Sequence, residues 1–156
     1  MCSSRSNALS RLQRLCSRSE KCVADIRRKL VEWNIPAHEA ETLIGQLEAQ
    51  GFIDEVRYAQ AFVRDKSRLA HWGAVKIRAA LQAKRIPAAV IAQALQEIDG
   101  QQSLDTLILL LQRKNATLKA ATVAERYIKL RRFALGKGYE PATVAAAIAF
   151  LITNDE

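Results

Sequence analysis

Apolar positions along the chain recur every three and four residues, the spacing of one helix face, and the pattern returns three times. Each return holds one of the three prolines, in Ile35-Pro36-Ala37, Ile86-Pro87-Ala88 and Glu140-Pro141-Ala142, which lie 51 and 54 residues apart. After each proline, apolar residues stand at offsets 4, 7, 8 and 11. They are Ala40, Leu43, Ile44 and Leu47, then Ile91, Ala94, Leu95 and Ile98, then Ala145, Ile148, Ala149 and Ile152. Proline suits the first turn of a helix, where its missing N–H would be unpaired anyway, and it disfavours helical geometry in the residue before it. Each copy therefore reads as helix, short turn, proline-initiated helix. Upstream of each proline runs a basic stretch with an apolar residue followed by arginine: Ile26-Arg27, Ile77-Arg78 and Leu130-Arg131.

A further helix precedes each pair. Its apolar marks are Leu9, Leu12 and Leu15, then Tyr58, Ala59, Phe62 and Val63, then Leu104, Leu107, Ile108 and Leu111. The expected fold is all-α: an elongated, curved stack of three tandem three-helix repeats over residues 7–54, 55–99 and 100–156. A unit of roughly 50 residues buries too little surface to stand comfortably alone, so the copies should share interfaces. Gly51-Phe52-Ile53-Asp54 and Asp99-Gly100 mark the junctions, where glycine can end one helix and aspartate cap the next. Six glycines and three prolines are too few for a sandwich or barrel of tight turns.

Of 156 residues, 49% are apolar and 26% charged, as in ordinary globular chains. The longest apolar run, Val144 to Ile152, falls well short of the roughly 20 residues that cross a bilayer. The net charge of +8 is uneven. Arg64, Lys66, Arg68, Lys76, Arg78, Lys84 and Arg85 are opposed within their stretch only by Asp65, and Arg126, Lys129, Arg131, Arg132 and Lys137 by no acid at all. Two readings stand. Such runs can be solvated helix faces. Yet unopposed like charges on a helix repel, and an acidic or phosphate-bearing partner would account for them. Trp72 and Tyr127 lie among these cations, where an exposed ring could stack on a base.

Recognisable catalytic motifs are missing. Gly136-Lys137-Gly138 is no phosphate loop, and no metalloprotease or nucleophile-elbow motif occurs. Cys2, Cys16 and Cys22 lack the spacing of a zinc site or disulfide framework, and His38 and His71 stand apart from them. Neither an enzyme, a cofactor nor a metal is expected; reduced thiols point to the cytoplasm. The first nineteen residues are rich in Ser and Arg and free of acid, as transit peptides are. Leu9 to Leu15 nevertheless fill a helix slot that the repeat requires, so a first helix is the reading preferred there.

The segment Gly51-Phe52-Ile53-Asp54-Glu55-Val56-Arg57-Tyr58-Ala59-Gln60-Ala61-Phe62-Val63-Arg64 closely resembles the most characteristic stretch of the bacterial RecX regulatory proteins. Asp25-Ile26-Arg27-Arg28-Lys29-Leu30 and Lys76-Ile77-Arg78-Ala79-Ala80-Leu81 extend the likeness. So do Lys129-Leu130-Arg131-Arg132-Phe133-Ala134-Leu135 and Gly138-Tyr139, and the whole runs from about residue 7 to 153. The chain departs from the family pattern at three places. Cys22 stands for a Ser-type cap, His71-Trp72-Gly73 for a basic-Gly-Tyr-Gly turn, and Arg85 for a glycine.

The resemblance implies a regulator of the RecA recombinase that lies in the groove of the RecA–single-stranded-DNA filament, bridges protomers, and hinders strand exchange and the coupled ATPase. It makes the RecA filament the partner, with single-stranded DNA as a weak, direct one, and a monomeric cytoplasmic protein. The candidate contact residues are Arg57, Arg64, Arg68, Lys76, Arg78, Lys84, Arg85, Lys129, Arg131 and Arg132. Arg57 has a structural alternative, since it adjoins a helix start. Two other functions compete with filament binding: a nucleic-acid-binding module that acts without RecA, and a helical-repeat protein that binds an unrelated acidic protein.

Overall fold

The computed structural model describes residues 2–154, and the side chains of residues 5–154. Among the described residues all regular structure is helical. The helices are α1 (Cys2–Arg18), α2 (Val23–Glu32), α3 (Ala37–Ala49), α4 (Glu55–Arg68), α5 (Ala74–Ala83), α6 (Ala88–Leu95), α7 (Gly100–Thr117), α8 (Val123–Gly136) and α9 (Pro141–Asn154). None is long and apolar enough to cross a membrane.

The chain packs as two compact units. One comprises residues 1–62 and 81–94, the other residues 63–80 and 95–156. In the first, Leu12, Ile26, Leu30, Leu43 and Leu47 are buried together. In the second, Leu107, Leu111, Leu130, Val144, Ala147 and Leu151 form the core. These are largely the positions that the helical spacing marks.

The turn before each proline-bearing helix has the same hydrogen bonding three times. The amides of Ile35, Ile86 and Tyr139 reach back to the carbonyls of Leu30, Leu81 and Ala134, and those of Asn34, Arg85 and Gly138 to Val31, Gln82 and Leu135. Paired bonds of this kind close a helix around one left-handed residue. Asn34, Arg85 and Gly138 hold that place, with φ of 56°, 59° and 92°. Arg85 thus carries a left-handed backbone on a full side chain.

The third copy differs from the expected register. Its core face is Val144, Ala147 and Leu151, whereas Ala145, Ala149 and Ile152 are exposed and Ile148 is half-buried. The first intrahelical bonds explain the shift. Ala40 and Ile91 donate to the carbonyls of Pro36 and Pro87, but Val144 donates to that of Glu140, so Pro141 lies inside α9 and not ahead of it. The turn, not the proline, sets the register, and the third proline comes one residue late.

At the junctions, Asp54 Oδ1 accepts the Arg57 amide at 3.1 Å, and Asp99 Oδ1 accepts those of Gln101 and Gln102 at 2.9 and 3.3 Å. Gly51 ends α3 with φ of 78°. Gly100, by contrast, ends nothing: it is the first residue of α7.

Candidate interaction surface

The cations of the candidate set fall into distinct environments once they are placed on their helices. Arg57, exposed on α4, is held on several sides: Nε meets Glu20 Oε1 at 2.5 Å, an Nη donates to the Gly51 carbonyl at 3.0 Å, and Asp54 lies 3.9 Å away. The guanidinium ties the α1–α2 connection to the start of α4, which is the structural alternative. Lys84 Nζ donates to Asp25 Oδ1 in a half-buried ion pair. Burial opposes ionisation of Asp25, but the ammonium and the Cys22 groups beside it prevail and hold its carboxyl below the usual range. Lys129 is bonded to Glu125 Oε1 at 3.1 Å and to the Lys119 carbonyl at 2.9 Å. That pair extends the capping of α8, in which Thr122 Oγ1 accepts the Glu125 amide and Glu125 accepts that of Ala121.

Arg64 and Arg68 on α4, Arg85 on the turn after α5, and Arg131 and Arg132 on α8 are exposed; Arg78 on α5 is half-exposed. None of these six has an acidic partner among the described residues. They are the donors still available to an anion. Arg64, Arg68, Arg78, Arg131 and Arg132 share one compact unit, and Arg85 belongs to the other.

Lys76 is positioned by tight packing. Its ammonium lies 4.4 Å from the centre of the Trp72 ring, and that of Lys66 lies 4.7 Å from it. A Cβ on Gly138 would fall 2.2 Å from Lys76 Cβ, and one on Gly73 would meet the Gly138–Tyr139 backbone at 2.4 Å. The Gly73 amide donates to the Lys137 carbonyl at 2.8 Å and Tyr139 Oη to the His71 carbonyl at 3.1 Å. His71-Trp72-Gly73 therefore seats directly on the α8–α9 turn, with His71 left-handed at φ 56°. Beside it lies a polar cavity of about 250 Å³ lined in part by Arg68, His71, Gln102, Ser103 and Tyr139.

The sequence reading missed a further cationic surface. Arg11, Arg14 and Arg18 on α1 line a depression with Lys29 and Trp33, and the Arg11 guanidinium stacks 3.9 Å over the Trp33 ring. The signal was present: four arginines and no acid in nineteen residues. It was concealed by the +1 net charge of residues 1–54, because every acid of that stretch lies at Glu20 or beyond.

Chemistry for catalysis is sparse. Among the described residues no group of three or more His, Cys, Asp and Glu is placed to hold a metal ion. Cys16 and Cys22 are free thiols whose ionisation burial disfavours.

The helix turn that recurs three times defines a class, the all-α helical-repeat proteins, and the comparisons make it specific. Residues 54–95 match the RecX second three-helix domain. The regulatory protein RecX of a Thermus thermophilus strain is 35% identical over 135 residues, covering 86% of this chain and 89% of that one. The regulatory protein RecX of Pelodictyon phaeoclathratiforme is 27% identical over 128 residues, covering 82% and 78%. The RecX crystal structure from Lactobacillus salivarius superposes with a TM-score of 0.84 at 17% identity, over 98% of this chain and 99% of that one. Another crystal structure of regulatory protein RecX gives 0.85 at 23%, over 92% and 72%. The chain belongs to the RecX family of regulatory proteins.

Proposed function

We propose that this protein binds the RecA–single-stranded-DNA filament and restrains the recombinase and its ATPase, acting by occupancy and not by catalysis. The reading takes the chain as three three-helix repeats, over 7–54, 55–99 and 100–156, working as a cytoplasmic monomer. The supporting observation is the set of arginines on α4, α5 and α8 that have no acidic partner among the described residues, in a protein of this family. Guanidinium is permanently charged and presents a planar fork of donors to carboxylate or phosphate. Several modest contacts fixed on one scaffold add up, because after the first forms the rest are intramolecular.

Of the ten candidates, Arg64, Arg68, Arg78, Arg85, Arg131 and Arg132 are assigned the contact. Lys76, packed on Trp72, supports it, whereas Arg57, Lys84 and Lys129 hold the fold. The test is titration into a DNA-stimulated RecA ATPase and strand-exchange assay. The wild type should inhibit both. Arg131→Glu with Arg132→Glu should weaken inhibition at least tenfold at unchanged helicity. Absence of inhibition and of filament binding by the wild type would dispose of the reading.

A further inference from the structure

The acid-free helix α1 carries an arrangement that the set on α4, α5 and α8 does not include. Arg11, Arg14 and Arg18 follow one another by three and four residues, so they lie along one face at steps of about 4.5 and 6 Å. Arg14 and Arg18 are exposed and have no acidic partner among the described residues. They form a ridge between two depressions. One, of about 220 Å³, runs past Lys29 to Trp33; the other, of about 520 Å³, runs past Ser10 to Phe52. Both rings are half-buried. Glu32, beside Lys29, is engaged by that lysine at 3.5 Å, and Glu20, just beyond Arg18, is engaged by Arg57.

A row of guanidiniums flanked on both sides by aromatic rings suits one kind of ligand. Consecutive phosphates along a flexible strand can each take an arginine fork, while bases turn aside onto Phe52 or onto the Arg11 guanidinium that covers Trp33. A duplex would satisfy the charges but keep its bases stacked and away from Trp33 and Phe52. An acidic protein surface would need a buried apolar anchor at its centre, and here the centre is the cationic ridge.

We propose that the α1 ridge, centred on Arg14 and Arg18 with Trp33 and Phe52 at its sides, is a binding site for the phosphodiester backbone of single-stranded DNA. It deepens the filament reading by supplying a DNA contact, and rests on that reading only for its place in the cell. Arg11, stacked on Trp33, positions the ring and adds its charge.

The test uses the full chain and a fluorescent oligothymidylate of about 20 nucleotides, long enough for one site. Affinity is read by anisotropy across a salt series, with helicity as the folding control. Arg14→Gln with Arg18→Gln should weaken binding about tenfold. Each lost phosphate contact lowers the salt slope by about 0.7, so the pair should flatten it by about 1.4. An unlabelled duplex of equal length and a polyglutamate peptide of equal charge should compete at least tenfold less well than unlabelled oligothymidylate.

No oligothymidylate binding by the wild type at low salt, or an unchanged slope in the folded variant, overturns the site. So does equal competition by polyglutamate, which would reassign the ridge to acidic proteins, or by duplex. ATPase inhibition measured on the same variant separates the two proposals. If the wild type inhibits RecA yet ignores the oligonucleotide, the site fails and the filament reading stands.

Discussion

The first helix triplet, α1–α3, and the last, α7–α9, close their internal turns with the same backbone bonds and then diverge. In the first, Pro36 stands two residues after the left-handed Asn34, and Ala40, Leu43, Ile44 and Leu47 go into the core together. In the last, one extra residue between turn and proline leaves Ala145 and Ile152 outside, lining an apolar groove with Ile128 and Arg131, while Leu151 goes in. The turns also differ in what surrounds them. Asn34 is exposed on its turn, whereas Gly138 is buried and packs directly against Lys76. A conformational requirement alone is cheap to satisfy with several residue types. Joined to a close approach, it admits only glycine.

That difference can be tested by adding one methyl group. Gly138→Ala places a Cβ 2.2 Å from Lys76 Cβ on a left-handed backbone, and should cost about 3 kcal/mol or more in denaturant unfolding. Gly51→Ala has the same handedness problem at φ 78° but open space around it, so its cost should stay near 1 kcal/mol. Equal losses would mean that the contact at Gly138 relaxes freely.

The shifted register of α9 predicts a comparably large contrast between neighbours. Leu151→Ala, 5% exposed in the wild type, should lose about 2–3 kcal/mol in the same measurement. Ile152→Ala, 42% exposed, should lose under about 1 kcal/mol. The reverse order would restore the proline-based register.

A smaller effect comes from Asp25 and Lys84. Folding lowers the Asp25 pKa, so the pair stabilises the protein above the unfolded-state value of about 3.9 and loses that contribution as pH falls through the folded value. Asp25→Asn should cost about 1–2 kcal/mol at neutral pH and reduce the loss of stability below about pH 4, read by thermal unfolding across pH. The smallest change is Arg85→Gly. Relief of left-handed strain, less the entropy of glycine, should stabilise by under about 1 kcal/mol, while Asn34→Gly should be nearly neutral.

Much of the fold was legible because helix spacing and turn chemistry are local. The buried positions Leu12, Ile26, Leu43, Leu107 and Leu111 follow from periodicity, and Asp54 and Asp99 cap as their places suggest. The α9 register was not, since a proline is allowed both just before a helix and at its first residue. Function was legible at the level of family, through a long specific segment. Which cations are available was not. Glu20 lies 37 residues from Arg57, and Asp25 lies 59 from Lys84; nothing in a linear charge run announces such partners. Segment totals misled in the opposite direction at α1, where acids further along the chain masked a cationic helix.

The left-handed residue of each turn also fixes how these helices can be exchanged. A chimera that puts α3 or α6 after α8 should be spliced at Asn34, Arg85 or Gly138, keeping the count from that point. Spliced at the prolines, the graft would rotate about 100° on its axis, and the leucines meant for the interior would face water along its whole length.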